Sequence, residues 1–254
     1  MNKFATDTWA LARRSTIRAL RTPQVIVFTL VQPIMFVLLF RYVFGGAIQV
    51  PDGFSYVNLL IPGIVVQNAV FSAAGASVGI AEDARTGFTD RLRVLPTSRL
   101  APLSGRVLSD TARAGLLVII IGLVGLAVGF RPELSWGLLG AFALLILIAF
   151  GFAWIATAIG ISARTPEAAQ SAGFIWIFPL TFASSVFVPV ETMPGWLQPI
   201  ARANPVTQFA DAVRSMVLGG GVTSALWWSL AWVAGLTVVG AALSIRAWNR
   251  MSRA

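Results

Sequence analysis

The chain has 254 residues, of which 57% are hydrophobic and only 11% charged, with a mean hydropathy of +0.79. Soluble domains carry about 25% charged residues, so this stock of polar side chains cannot coat a water-facing globule of that size. Soluble globular, disordered and fibrous classes are excluded, and one integral membrane domain over 1–254 remains.

In chain order, residues 4–20 come first. Arg14, Arg18 and Arg21 fall at i, i+4, i+7 on one helical face, with Trp9, Ala12 and Leu20 away from them. This suits an N-terminal interfacial helix (1–22) in the headgroup layer, and equally a basic flank to the first span. The apolar run that follows is about 20 residues, too long for a signal-peptide core.

A membrane-crossing helix needs about 20 mostly apolar residues. Six such spans are predicted: Gln24–Phe44, Tyr56–Ile80, Ala114–Phe130, Trp136–Ile161, Ala168–Val188 and Ala225–Ile245. Thr111–Arg113 extend the short third span if the arginine snorkels. Ser135 and Ser224 are N-cap candidates, and Ser109-Asp110 a candidate cap for span three. The apolar runs are continuous rather than alternating, which excludes a membrane barrel. Gly125-x-x-x-Gly129 and Ala231-x-x-x-Gly235 permit close helix contact. The fold class is an all-α membrane protein.

Fifteen of the 19 basic residues fall on the side holding both termini and the loop 81–113, and four on the other. By the positive-inside bias both termini are cytoplasmic. The net charge of +9 follows from topology and attraction to anionic lipid, rather than from nucleic-acid binding. Eighteen of the basic residues are arginine, a usage that points to a GC-rich bacterial genome, and the expected location is the bacterial inner membrane.

Absent residue types narrow the chemistry. Without cysteine or histidine there are no disulfides, thiolate nucleophiles, Ser-His-Asp relays or Cys/His metal sites. The one lysine, Lys3, precedes Phe4 and follows no glycine-rich turn, so a P-loop is excluded. No catalytic residue, metal site or ATP site is expected in this chain, which on its own is not an enzyme. No acidic residue lies deep in a predicted span, so a proton-coupled carrier would lack its relay.

Three regions carry the functional signal. In the loop 81–113, Phe88, Leu92 and Leu95 fall at i, i+4, i+7 and Pro96 ends the stripe. An apolar stripe framed by charges suits a partner's groove, or folds back onto the membrane surface. Between spans five and six, residues 189–221 hold four prolines, and Asn204-Pro205 reads as an N-cap and first-turn proline. The helix so opened carries Phe209, Val213 and Met216 on one face, and Asp211 and Arg214 on another. Two short helices joined there form either a re-entrant outer hairpin acting as a lid, tolerated where protein shields it, or a surface helix. Within the spans, Gln32, Gln67, Asn68 and Ser184 are neutral polar residues. They line a path, or form interhelical hydrogen bonds worth about 0.6 kcal/mol each. Trp176, Phe178, Phe182 and Phe187 face cargo or lipid.

The segments EDARTGFTDRLRVLPTSRLAPLSGRVLSD (82–110) and FVPVETMPGWLQPIARANPVTQFADAVRSMVLGG (187–220) resemble the cytoplasmic loop and outer hairpin of type-2 ATP-binding-cassette exporter permeases. The likeness covers roughly 10–245 and is greatest to the daunorubicin-resistance group. It departs at Glu82-Asp83-Ala84-Arg85-Thr86-Gly87, where the family often has a Glu-Lys/Arg-Glu run, and at Val206-Thr207-Gln208 after Asn-Pro. The resemblance implies a separate ATPase subunit, carrying ATP and magnesium, docked on a coupling helix at 82–96. It also implies a second permease, as homodimer or heterodimer. Glu82, Gly87, Phe88, Asp90, Arg91 and Leu92 would be coupling positions. Pro194, Trp196, Asn204, Pro205 and Arg214 would belong to the outer hairpin or gate. The expected function is ATP-driven export of a hydrophobic or amphipathic compound, such as a drug-like metabolite, antibiotic or lipid. Related permeases carry lipid-linked polysaccharide, and an intramembrane lipid-modifying enzyme is the distant alternative.

Overall fold

The computed structural model describes residues 3–20, 23–46, 48, 55–88 and 100–251. Among the described residues all regular structure is helical: α1 (Lys3–Leu20), α2 (Pro23–Leu38), α3 (Tyr56–Arg85), α4 (Ala101–Ala127), α5 (Trp136–Ser162), α6 (Pro166–Phe182), α7 (Gln198–Ala203), α8 (Pro205–Val217) and α9 (Ser224–Met251). A π-helical turn, Leu39–Phe44, continues α2, and a 3-10 turn, Val190–Thr192, precedes α7.

Among the described residues four helices are long and apolar enough to cross a membrane: α3, α4, α5 and α9. The first expected span corresponds to a shorter apolar helix, Leu30–Phe44, and the fifth to the 17 residues of α6. The centre of the bundle is α3 packed on α5, which also packs against α4 and α9. Phe152 and Ile148 of α5 and Leu60, Ile64 and Val66 of α3 are fully enclosed, so α3 is wrapped by protein while α9 is the most open of the four.

Several helix ends depart from the sequence reading, α3 running on to Arg85 and α9 to Met251, and those of α4, α6 and α9 bear on the predicted caps. α4 begins at Ala101, with proline in its first turn, far ahead of the apolar run at Ala114. Ser109-Asp110 therefore caps nothing. The Ser109 hydroxyl lies 3.1 Å from that of Thr16 on α1, and Asp110 takes arginine partners. α6 stops at Phe182 rather than Val188: Ala183 N–H makes its last bond to Pro179 O, and the carbonyls beyond are taken by side chains from α8. α9 includes Ser224 as its first residue rather than following it. Two caps stand as read: Ser135 Oγ accepts from Gly137 N–H at 3.2 Å, and Asn204 Oδ1 from Val206 N–H at 2.9 Å.

The small-residue pairs serve different purposes. Gly125 faces Ile61, where a Cβ would come within 2.6 Å of Cγ2. Gly129 instead adopts φ +102°, which ends α4. Gly235 has open space around it, and α9 approaches α5 through Gly240, where a Cβ would come within 2.8 Å of Trp154. α1 lies along α4, with Ala12 buried, while Trp9 is exposed, so its expected apolar face is divided between protein and surroundings.

Candidate functional site

Three assemblies lie along α3, whose 30 residues span about 45 Å at 1.5 Å per residue.

At the C-terminal end of α3, Gly87 adopts φ +66° and turns the chain out of the helix, a left-handed conformation that favours glycine. Glu82 holds Arg85 through two hydrogen bonds of 2.9 and 2.8 Å. Phe88 lies under Arg14 of α1, with the guanidinium carbon 3.7 Å from the ring centroid. It also lines a gap of about 50 Å³ with Leu11, Asp83, Arg106 and Trp248. Asp90, Arg91 and Leu92 lie outside the described residues.

From this end a run of charges continues into α4. Arg106 donates to Asp83 at 2.8 Å and to Asp110 at 2.9 Å, and Asp110 lies 3.4 Å from Arg113. Arg106, Asp110 and Arg113 sit at i, i+4, i+7, one face of α4, which spans about 10 Å of axis. Gly79 of α3 lets this happen, because a Cβ there would collide with the Arg106 guanidinium. From the sequence Asp110 reads as part of a cap and Arg113 as a snorkelling extension of span three, which misses the pairing of Asp83, Arg106, Asp110 and Arg113. The signal was present as an arginine-aspartate-arginine alternation at helical spacing, hidden because that stretch reads as loop.

At mid-height a cavity of about 370 Å³ opens between α2, α3, α4 and α6. Its walls include Gln32, Gln67, Asn68, Phe36, Phe71, Phe174, Gln170 and Arg113. Three of the four predicted path residues thus share one cavity: Gln67 is buried, Asn68 half-buried, and Gln32 exposed at the rim. Ser184 does not join them. It is buried in the turn after α6, where its hydroxyl donates to Thr181 O, the repair of a proline-broken helix rather than a lining role. From the cavity a phenylalanine series runs along α6 and α2. Phe71–Phe178, Phe178–Phe182, Phe182–Phe187 and Phe187–Phe40 have ring centroids 5.3, 5.7, 5.3 and 4.5 Å apart, within the range of aromatic attraction.

At the N-terminal end of α3, α7 and α8 meet at Asn204-Pro205. The Asn204 amide donates to Leu180 O and Ala183 O, both at 2.7 Å, supplying donors to carbonyls that the broken helix leaves open. Arg214 does the same further on. Its Nε donates to Leu59 O at 3.0 Å, Nη2 to Val186 O at 3.2 Å and to Ser185 O, and Nη1 to Ser185 Oγ and Asp211 at 3.0 and 2.9 Å. Its side chain is 11% exposed, whereas that of Asp211 is 47% exposed. Pro194 and Trp196 are exposed on the approach to α7. Asn204, Pro205 and Arg214 therefore form one assembly with the end of α6, and Trp196 projects from it.

No group of acidic, histidine or cysteine side chains able to hold a metal occurs among the described residues. Among the described residues the arrangement carries no hydrolytic constellation. It offers a polar cavity inside an apolar bundle, with charged and hydrogen-bonded assemblies at either end.

Residues 6–218 match the ABC-2 type transporter family model. The chain is 34% identical over 229 residues to the daunorubicin resistance ABC transporter permease protein DrrB1 of Streptomyces coeruleorubidus, covering 88% of this chain and 79% of that one. It is 24% identical to the probable doxorubicin resistance ABC transporter permease protein DrrC of Mycobacterium tuberculosis (strain ATCC 25618 / H37Rv), covering 93% and 86%. The inner membrane transport permease YadH of Escherichia coli (strain K12) is 27% identical, covering 76% and 77%. With four full-length apolar helices and a family match over most of its length, this chain belongs to the ABC-2 type transporter family of membrane permeases.

Proposed function

We propose that this chain is the permease subunit of an ATP-driven exporter for a hydrophobic or amphipathic, drug-like compound. The observation that carries the reading is the cavity between α2, α3, α4 and α6, joined through Arg113, Asp110 and Arg106 to the end of α3. A separate ATPase, holding ATP and magnesium, docks on the segment that begins at Glu82 and includes Phe88. Its closure on ATP moves the α3 end, and the Asp83–Arg106 contact passes that motion to α4 and the cavity wall. The names of the daunorubicin and doxorubicin resistance relatives support a drug-like cargo.

In this reading the chain crosses the bacterial inner membrane six times, α2 with its π turn and α6 being the two shorter spans. Both termini lie in the cytoplasm. α7 and α8 form an outer lid held by Asn204 and Arg214, and a second permease completes the path along exposed Phe178 and Phe182.

The test is reconstitution with a cognate ABC ATPase subunit. Inverted vesicles should accumulate a fluorescent amphiphile on ATP addition and fail to do so when the ATPase carries a dead P-loop lysine. Accumulation by this chain alone would overturn the proposal.

A further inference from the structure

We infer that the mid-height cavity is a binding site for an acidic amphiphile, its carboxylate or phosphate paired with Arg113 in a space where Gln67 and Asn68 supply further unpartnered donors. The inference deepens the export reading and rests on it only for calling the ligand cargo.

Three polar atoms in this region are buried without a hydrogen-bond partner: Nε2 of Gln67, Nδ2 of Asn68 and Nε of Arg113. All three residues line the cavity, and Gln67 is only 4% exposed. Arg113 Nε can only donate, and the two amides can each present a donor, so a ligand that serves all three is an acceptor. Leaving buried donors unpaired is costly, and a cavity of about 370 Å³ lies in the range that takes a small organic ligand.

Charge sets the sign. Arg113 is the one charged residue among the lining residues. Its carboxylate partner, Asp110, is shared with Arg106. Asp110 lies closer to Arg106, at 2.9 Å, than to Arg113, at 3.4 Å. Arg113 is therefore the less neutralised arginine, and its guanidinium has a donor free for a carboxylate or phosphate, the groups it binds most strongly. A cationic head would meet three donors and no free acid. The walls also carry rings: Phe36, Phe71 and Phe174 border the same space, and the phenylalanine series leads away from it. Donors and rings lining one space fit a molecule with an acidic head and an apolar body.

The experiment uses the full chain in phosphatidylcholine nanodiscs, with empty nanodiscs as reference. Three probes are compared: octyl phosphate, octyltrimethylammonium and inorganic phosphate. Octyl phosphate should bind about tenfold or more tightly than either other probe, and R113M should cost about tenfold or more, as expected when a hydrogen bond to a charged group is lost. R113K should restore part of the affinity, and Q67L with N68L should weaken binding while R113 stays intact, so a folding defect in one variant does not decide the matter. Equal or tighter binding of the ammonium probe overturns the inference, as does equal binding of inorganic phosphate. Unchanged affinity in both R113M and the Q67L/N68L pair overturns it too. Adding the ATPase and ATP separates the two proposals: selective binding without transport supports the site as one for membrane lipid and counts against export, whereas transport of the ammonium probe alone keeps export and removes the acidic ligand.

Discussion

The guanidinium carbon of Arg14 lies 3.7 Å from the centroid of the Phe88 ring. This contact ties α1 to the residue at which the chain leaves α3, so any partner docked on Phe88 also meets the N-terminal helix. A cation over an aromatic face contributes about 0.5–1 kcal/mol when exposed and about 2 or more when desolvated.

We therefore expect R14Q to weaken, and F88D with L92D to abolish, co-purification with the ATPase, while membrane insertion stays normal. A pull-down from solubilised membranes measures this. Retention of the ATPase by the double variant would refute docking on this segment.

Replacing Arg214 should destabilise the fold. R214M removes the donors that serve Leu59 O, Ser185 O and Val186 O, and each buried acceptor left unpaired costs about 1–3 kcal/mol. Thermal unfolding in detergent should show a clear fall in Tm. R214K, which keeps the charge but not the planar fork, should recover only part. An unchanged Tm in R214M would show that these carbonyls find other partners.

Gly63 is a matching test from the other side of the same contact. A Cβ there would collide with Val186 O and approach Arg214 Nη2 at 3.1 Å. G63A should cost about 1–3 kcal/mol, as overpacking does, whereas G122A, which has open space, should be neutral or slightly stabilising. The two unfolding curves compared side by side make the measurement. Equal Tm values for both variants would mean that α3 and the turn at 186 separate freely.

Within the charge series, R106M should destabilise by about 1–3 kcal/mol, because it removes the guanidinium shared by two mostly buried carboxylates and leaves Asp110 with its longer contact to Arg113. Asp83 and Asp110 side chains are 13% and 8% exposed, so the penalty should change little between low and high salt. A D83N/R106M double-mutant cycle isolates their pair energy. A cycle that sums to zero would separate the α3 end from α4 and remove the route proposed for the power stroke.

The sequence by itself determined the helical membrane class, five of the six apolar segments to within a turn at their starts, and the local caps at Ser135 and Asn204. Each depends on neighbours a few residues apart: continuous apolar runs must leave water, and a cap bonds a backbone group two residues on. The tertiary structure decided what no local pattern contains. α4 begins early because Arg106, Asp110 and Arg113 find partners along α3 and one another, so a charged stretch that reads as loop becomes helix. Arg214 was legible as half of an Asp211 pair, but its bond to Leu59 O spans 155 positions. The end of α6 is likewise set by donors from α8 rather than by its own residues. Gln32, Gln67 and Asn68 were visible as polar residues in apolar helices, yet only the packing of four helices places them round one cavity with Arg113. A buried polar group is costly until it is paired, and which group pairs with which is a question of distance in space.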